Sequence, residues 1–379
     1  MKKDKRSKKN GRGTPLGSLI LCMAIGAVCG IVMVVTLDGA FAWAGSLGGL
    51  AIELLLFFVA FYLQTIIHEG GHLVAGLMTG YGFGSFRIGS LMFVKESGKI
   101  KVKKHSVAGT GGQCLMIPPQ MVDGKYPVIF YNLGGVLMNL IFTAIPVILA
   151  IIFVNKPIIY AFCVLMALAG FISAATNGIP LRLGIVNNDG SNARELYKNE
   201  EAMRVFHNQF MTMAALSDGK PLSEMPEEWF FMPSEAGFKN SITVSGAVFR
   251  ENWLMDCGKY DEALELIDLL LTSESALIGL HKCLLTCDKI LLLLLRGETE
   301  KIGSLASSGE MQAFFKQMKG NISVVRVQYA MAKLLDGDEK RAAELLELFE
   351  KCAKTHPYPV EIIGERRILA QIDAVSEEK

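Results

Sequence analysis

Long apolar stretches in the first half of the chain limit its fold more than any other sequence feature. Four of them lie between residues 16 and 180, and each is long enough to cross the roughly 30 Å hydrocarbon core of a bilayer as a helix. A segment in lipid must satisfy its own backbone hydrogen bonds, which favours helices and excludes open sheets there. We therefore predict a polytopic membrane protein with about four transmembrane helices, at 16–37, 48–79, 127–154 and 158–176.

The remaining sequence predicts three further parts, and the whole chain is expected to be mainly α-helical. Residues 1–15 form a basic tail that we expect to be cytoplasmic. Residues 81–125 contain β-like runs, which predict a small β-hairpin insertion within a membrane domain covering 16–192. Residues 193–379 have the composition and helical patterns of a soluble domain.

Two segments of this last domain have the turn-and-helix pattern of a tetratricopeptide repeat. Gly258 and Ala263 in one segment keep the same offset as Gly337 and Ala342 in the other. Full repeat signatures are absent, so we expect helical hairpins and leave the repeat class open. The leucine-rich run at 289–297 is too short to span a membrane, which predicts a buried helix.

The insertion contains two different patterns. Its first part predicts a β-hairpin over 86–104, with a Ser-Gly turn between Glu96 and Lys99. Its second part, 108–119, is glycine-rich but lacks the Gly-Lys-Ser/Thr step of a phosphate-binding loop, so nucleotide binding is not expected. Two interpretations of this part stay open. It is either a flexible turn or a membrane-dipping loop whose backbone lines a site.

The distribution of lysine and arginine predicts the orientation in the membrane. The tail and residues 80–125 carry seven such residues each, whereas the loops 38–46 and 155–157 carry only Lys156 between them. By the positive-inside rule both termini and the insertion are cytoplasmic, in a multi-pass protein of the cell membrane.

The net charge of the chain is +1, which gives no bulk attraction to nucleic acid. Its eight cysteines are scattered without the spacing of a disulfide framework, which indicates reduced thiols.

The second predicted span contains an H-E-x-x-H motif, made of His68, Glu69 and His72. Residues four apart lie on one face of a helix, so the two histidines can bind one metal ion together. Glu69 points around the helix, where it can reach a metal-bound water as a general base. The alternative is that these side chains cap a helix end or bond to a neighbouring helix. Because ionisable groups at membrane depth are unfavourable, we favour the metal site.

Three motifs together resemble the site-2 protease family of intramembrane zinc metalloproteases. They are HEGGH in the second span, GGVLMN at 134–139, and NGIP followed by NDG after the fourth span. The resemblance covers about residues 45–195. It implies that Glu69 activates a water and that one zinc ion per chain is held by three ligands, His68, His72 and Asp189.

The resemblance also implies roles for further polar residues. Asn177 matches the family's N-x-x-P together with Pro180, and Asn139 matches its polar position in the third span. Either amide could donate a hydrogen bond to the oxyanion that forms during peptide hydrolysis. The gap between Asn177 and Asp189 is longer than the family's usual spacing. Asp123, in another cytoplasmic Asp-Gly step, therefore stays open as the alternative third ligand.

The function that these features predict is hydrolysis of peptide bonds in transmembrane or membrane-anchored protein substrates. A helical substrate must unwind to expose its carbonyl, and the 86–104 hairpin could pair with the unwound strand. The alternative is a catalytically inactive membrane scaffold whose domain 193–379 binds cytoplasmic protein partners. A metal transporter ranks last, because it would need polar residues spread through several spans, whereas here they cluster at one depth.

Overall fold

The computed structural model describes residues 47–96, 98–105, 110–180, 182–183 and 186–378, together with six helical positions before residue 47. The predicted tail 1–15 and most of the predicted first span, 16–37, lie outside the described residues. By its internal contacts the chain divides into two compact units. The first unit comprises Met1–Ser90 and Val107–Met203, and the second comprises Leu91–Ser106 and Arg204–Lys379.

Three described helices of the first unit are long and apolar enough to cross a membrane. They are α1 (Leu47–Met78), α2 (Val128–Ile152) and α3 (Pro157–Gly178), which agree closely with three of the four predicted spans. Large apolar side chains such as Phe58 and Ile151 are exposed on their outer surfaces. Such surfaces are compatible with a membrane protein, because lipid covers them without cost.

The helices α1 and α2 cross at glycines, where their backbones touch. A Cβ atom added at Gly71 would lie 2.3 Å from the carbonyl oxygen of Gly134, and one at Gly134 would lie 2.5 Å from the Gly71 oxygen. Side chains are therefore excluded at this point, as in other close helix contacts within membranes. The crossing brings the H-E-x-x-H turn of α1 against the GGVLMN segment of α2.

Four strands, all antiparallel, follow α1. In the first unit β1 (Gly82–Ile88) pairs with β4 (Gly112–Ile117). The backbone of the glycine-rich segment 108–119 lies against Glu69 at Gly112, in agreement with the interpretation that it lines a site. The segment forms a strand over most of its described part, rather than the flexible turn that we considered. The physical reason is that β1 offers its backbone edge, which satisfies the amides of the segment.

The hairpin predicted around Glu96 and Lys99 is confirmed, and it belongs to the second unit. It consists of β2 (Leu91–Glu96) and β3 (Lys99–Lys104), with Glu96 directly opposite Lys99. Gly98 has a positive φ of 77°, which a two-residue hairpin turn requires and which glycine adopts without strain.

After α3 the chain makes a short antiparallel pair, β5 (Arg182–Leu183) and β6 (Val186–Asn187), before turning helical. The boundary between the units falls after Met203, within a helix and later than the predicted residue 192. The helices of this part of the chain are α4 (Asp189–Lys198), α5 (Glu200–Ser217), α6 (Ser241–Asp256), α7 (Tyr260–Thr272), α8 (Gly279–Leu295), α9 (Ile302–Ala306), α10 (Gly309–Gln317), α11 (Ile322–Met331), α12 (Glu339–Ala353) and α13 (Pro359–Glu377).

The second unit is helical, as predicted, and contains helical hairpins. Gly258 and Gly337 both have positive φ and sit in the turns that begin α7 and α12, while Ala263 and Ala342 are buried on those helices. The tetratricopeptide class itself stays a prediction.

The leucine-rich run is buried over 290–294, which confirms a core helix. The six described cysteines are free: Cys114, Cys163, Cys257, Cys283, Cys287 and Cys352.

Candidate metal centre

Three potential ligand atoms converge at the helix crossing in the first unit. The Nε2 atoms of His68 and His72 lie 3.2 Å apart, and the Oδ2 atom of Asp189 lies 3.0 Å from the first and 3.4 Å from the second. Both histidines are buried and Asp189 is half-buried. Among the described residues this is the one cluster of histidine, cysteine and carboxylate groups close enough to hold a metal ion.

The spacing of these atoms fits tetrahedral coordination. Ligand atoms held at about 2.0–2.1 Å from a tetrahedral ion lie about 3.3 Å from one another. The three observed separations bracket that value. The three residues therefore fit one metal ion, and a fourth position remains for a small molecule.

Hydrogen bonds determine which ring nitrogen of each histidine carries the proton. His68 Nδ1 lies 2.6 Å from Asn139 Oδ1, and His72 Nδ1 lies 2.8 Å from the backbone carbonyl oxygen of Tyr131. A carbonyl oxygen only accepts, so His72 must donate from Nδ1. If Asn139 also presents its oxygen, His68 donates from Nδ1 as well. Both Nε2 atoms then offer lone pairs to the centre, the form in which imidazole binds metals.

The orientation of Asn139 is determined in turn by Gln64. Asn139 Nδ2 donates to the backbone oxygen of Gln64 at 3.0 Å and to its Oε1 at 2.8 Å. Gln64 Nε2 donates to the carbonyl oxygens of Phe142 and Met166, at 3.0 Å and 3.1 Å. These backbone acceptors set both amides, so Asn139 must turn its oxygen towards His68. A buried relay through three helices thus holds the His68 ring.

Asp189 is the first residue of α4 and points back towards the histidines. Its Oδ2 atom is buried and meets no donor in hydrogen-bond geometry, which leaves three lone-pair atoms facing one another. A cation among them relieves that repulsion. Burial raises the pKa of the Asp189 carboxyl, but the hydrogen bond and positive charge that His68 or His72 supplies when its ring is protonated outweigh burial and lower that pKa below its usual range. A proton or a metal ion shared with the histidines therefore keeps this carboxylate ionised.

Two neighbours of Asp189 fix the start of α4 against the end of α3. The Asn188 side chain caps α4 by accepting from Ser191 N, and its amide donates to the Thr176 oxygen at 2.7 Å. Gly190 lies so close to α3 that a Cβ atom there would be 2.1 Å from the Gly178 oxygen. Glycine is required in this Asp-Gly step because the two backbones touch.

Glu69 is buried beside the three ligand atoms and interacts electrostatically with them. Its side chain packs on the backbone of β4, where a Cβ atom at Gly112 would lie 2.9 Å from Glu69 Oε1. The buried guanidinium of Arg87 on β1 also interacts with Glu69 and donates to the Gly112 oxygen at 3.3 Å. The strand pair β1–β4 therefore forms one wall around Glu69.

The remaining predicted site residues lie elsewhere or have other contacts. The amide of Asn139 is bonded to Gln64, so it positions His68 instead of meeting an oxyanion. Asn177 is half-buried and donates to the Ser173 oxygen one turn earlier on α3. Asp123 is exposed, with a positive φ of 50°, in a tight turn with Gly124. The structure thus brings Asp189, and not Asp123, to the histidines.

Sequence reasoning missed Gln64, Arg87 and Asn188. Gln64 had a usable signal, because an amide inside an apolar span is unfavourable without partners.

Comparisons with protein-family models, curated proteins and solved structures give no match. The resemblance to site-2 proteases therefore rests on the motifs alone.

Proposed function

We propose that this chain is an intramembrane zinc metalloprotease that hydrolyses peptide bonds of membrane-anchored proteins. The observation that carries the proposal is the convergence of His68 Nε2, His72 Nε2 and Asp189 Oδ2 at tetrahedral spacing, with Glu69 beside them. Two imidazoles and one carboxylate are a ligand set that catalytic zinc sites use, with the fourth position open. We propose one zinc ion per chain.

Each residue then has a defined task. When bound, zinc lowers the pKa of a coordinated water towards about 7 and polarises a substrate carbonyl. Glu69 takes the proton from the attacking water and later delivers it to the leaving amine. Because the Asn139 amide is bonded to Gln64, Asn177 is the remaining predicted candidate for the oxyanion donor, after rotation away from Ser173.

The strand β4 supports a way to hold an extended substrate. Among the described strands, β4 pairs with β1 on one side only, and its first residue, Gly112, touches Glu69. An unwound segment of a membrane-anchored protein could add to the free edge of β4, which would bring its backbone to Glu69. From the sequence we expected the 86–104 hairpin to pair with the unwound substrate. We now propose β4 for this role, because β4 contacts Glu69.

The Lys/Arg bias supports a multi-pass arrangement in the cell membrane with both termini cytoplasmic. Cysteines introduced near Lys103 and in the domain after Asp189 should then react with a membrane-impermeant reagent only when the cytoplasmic side is opened. Labelling of the C-terminal domain from outside intact cells would overturn the orientation. The second unit is exposed to cytoplasmic protein partners in this arrangement.

The protease proposal is tested by quantitative proteomics of membrane fractions from cells that express wild type or Glu69→Gln. Removing the general base should slow cleavage at least ~10²-fold, so uncut substrates accumulate in the variant. Glu53→Gln is a matched control, because Glu53 is a second buried glutamate on α1 outside the motif. Identical fragments from wild type and Glu69→Gln would contradict the protease and leave the scaffold alternative.

A further inference from the structure

The two faces of the β2–β3 hairpin differ in what covers them. On one face Met92, Val94 and Glu96 are buried, and Lys103 donates to the backbone oxygen of Pro357 at 3.2 Å. This face packs within the second unit. Side chains alternate along a strand, so the neighbouring residues point to the opposite face.

The opposite face is apolar and exposed. Leu91 and Phe93 on β2 are 46% and 37% exposed, and Ile100 and Val102 on β3 are 65% and 61% exposed. The register places Phe93 directly opposite Val102, so these side chains form one continuous patch. Single exposed apolar residues are common in proteins, but a contiguous apolar patch on a strand pair indicates a surface that something covers.

The charges around this patch are all positive. Lys95 and Lys104 lie on the same face as the apolar side chains. The one carboxylate of the hairpin, Glu96, lies on the buried face, where Lys101 and Lys103 pair with it. A covering surface must therefore be apolar and negatively charged at once. A bilayer that contains anionic lipids has both properties at its headgroup boundary.

We propose that the exposed face of the β2–β3 hairpin docks onto anionic lipid at the membrane surface. Phe93, Ile100 and Val102 would enter the headgroup boundary, while Lys95 and Lys104 extend to lipid phosphates. The hairpin begins at Leu91, and the chain between it and the end of α1 consists of β1 and two short turns, which limits how far it lies from a bilayer crossed by α1. The proposal rests on α1–α3 crossing a membrane, and it is independent of the protease activity.

The test uses the full chain reconstituted in vesicles whose acyl chains are brominated, which quench tryptophan on contact. Phe93→Trp reports the proposed face, and Ile363→Trp is the matched control, an exposed apolar residue of α13 in the same unit. The wild-type signal of Trp43, Trp229 and Trp253 is subtracted. Vesicles are made of phosphatidylcholine alone or with about a third phosphatidylglycerol, an amount that gives a substantial negative surface potential.

Lipid docking predicts quenching for Phe93→Trp at least about twofold stronger than for Ile363→Trp. The quenching should increase with phosphatidylglycerol and lose that increase in a variant that also carries Lys95→Gln and Lys104→Gln. Two results would overturn the proposal. Unquenched emission at a water-exposed wavelength would mean a free surface, and unquenched but blue-shifted emission would mean that a protein segment covers the face instead.

Discussion

At the scale of single residues, the placement of protons decides what the site can bind. His72 is set by a backbone carbonyl and His68 by an amide that backbone carbonyls orient in turn. Both partners are buried, and the Asn139 amide is held in one orientation by its hydrogen bonds to Gln64. The lone pairs of the two imidazoles are thus held in place, as the proposed metal site requires.

Asn139→Ala should weaken zinc binding by about 10–100-fold, because the His68 ring loses the partner that fixes its tautomer and orientation. Chelator competition on the purified chain measures this. Asn132→Ala is a matched control: Asn132 is a buried amide on the same helix, and it donates only to Val128 one turn earlier. Equal losses of zinc affinity in the two variants would mean that Asn139 contributes only to packing.

The residues of the site differ in how far sequence could predict them. His68, Glu69 and His72 follow from spacing within one helix, because that geometry is local. Asp189 followed only from a family resemblance, since its approach depends on how α4 starts against α3. The roles of Gln64 and Asn139 could not be predicted, because their partners come from three helices whose packing no local pattern specifies.

At the scale of elements, the crossing of α1 and α2 requires a glycine at position 71 of the HEGGH turn but not at position 70. A Cβ atom at Gly71 meets the backbone of Gly134 and Gly135, whereas one at Gly70 meets nothing within 4 Å. Gly135 also leaves room for the His68 ring, because a Cβ atom at Gly135 would lie 2.6 Å from Cε1 of that ring. Hydropathy predicted the helices, but their closest contact required the coordinates.

Gly71→Ala should destabilise the first unit by about 1–3 kcal/mol, because two backbones must separate to admit the methyl group. Gly70→Ala changes helix propensity equally but introduces no clash. Thermal denaturation in detergent, with zinc content measured in parallel, compares the pair. The crossing would be less important than we argue if both variants behaved alike.

The helices of the second unit meet at a buried charge cluster that local patterns did not predict. Arg326 on α11 forms ion pairs with Asp288 on α8 and with Glu365 on α13. The distance from Arg326 Nη1 to Glu365 Oε2 is 2.9 Å. Burial raises the pKa of Asp288 to about 6, with Arg326 opposing and Glu365 adding to the shift. Because the pKa of Asp288 is higher in the native state than in the unfolded chain, the stability that this carboxyl contributes is lost as pH rises from about 4 to about 6.

Arg326→Met should destabilise the second unit by about 3–5 kcal/mol at pH 8, since buried carboxylates lose their cation. The loss should be smaller at pH 5, where those carboxylates can take up protons. Arg366→Met is the control, because the Arg366–Glu350 pair is exposed and worth at most about 1 kcal/mol. Limited proteolysis of the full chain at increasing temperature measures the stability of both variants. Equal effects, or no pH dependence, would contradict the assignment.

At the scale of the whole molecule, the chain combines a first unit, which contains the three candidate membrane-spanning helices and the candidate metal centre, with a mainly helical second unit, which contains the β2–β3 hairpin. Hydropathy and charge predicted the membrane helices and the helical domain. They placed the hairpin in the membrane domain, because its sequence lies between two spans. Its membership of the second unit depends on contacts with residues far along the chain, such as Lys103 with Pro357.

The central claim is that His68, His72 and Asp189 hold one catalytic metal ion, and its most direct test is the metal content of the purified full chain. Wild type and Asp123→Asn should each carry about one zinc per chain. Asp189→Asn should lose most of it under dilute chelator, because the site then keeps two strong ligands. Full zinc in Asp189→Asn with loss in Asp123→Asn would contradict the account.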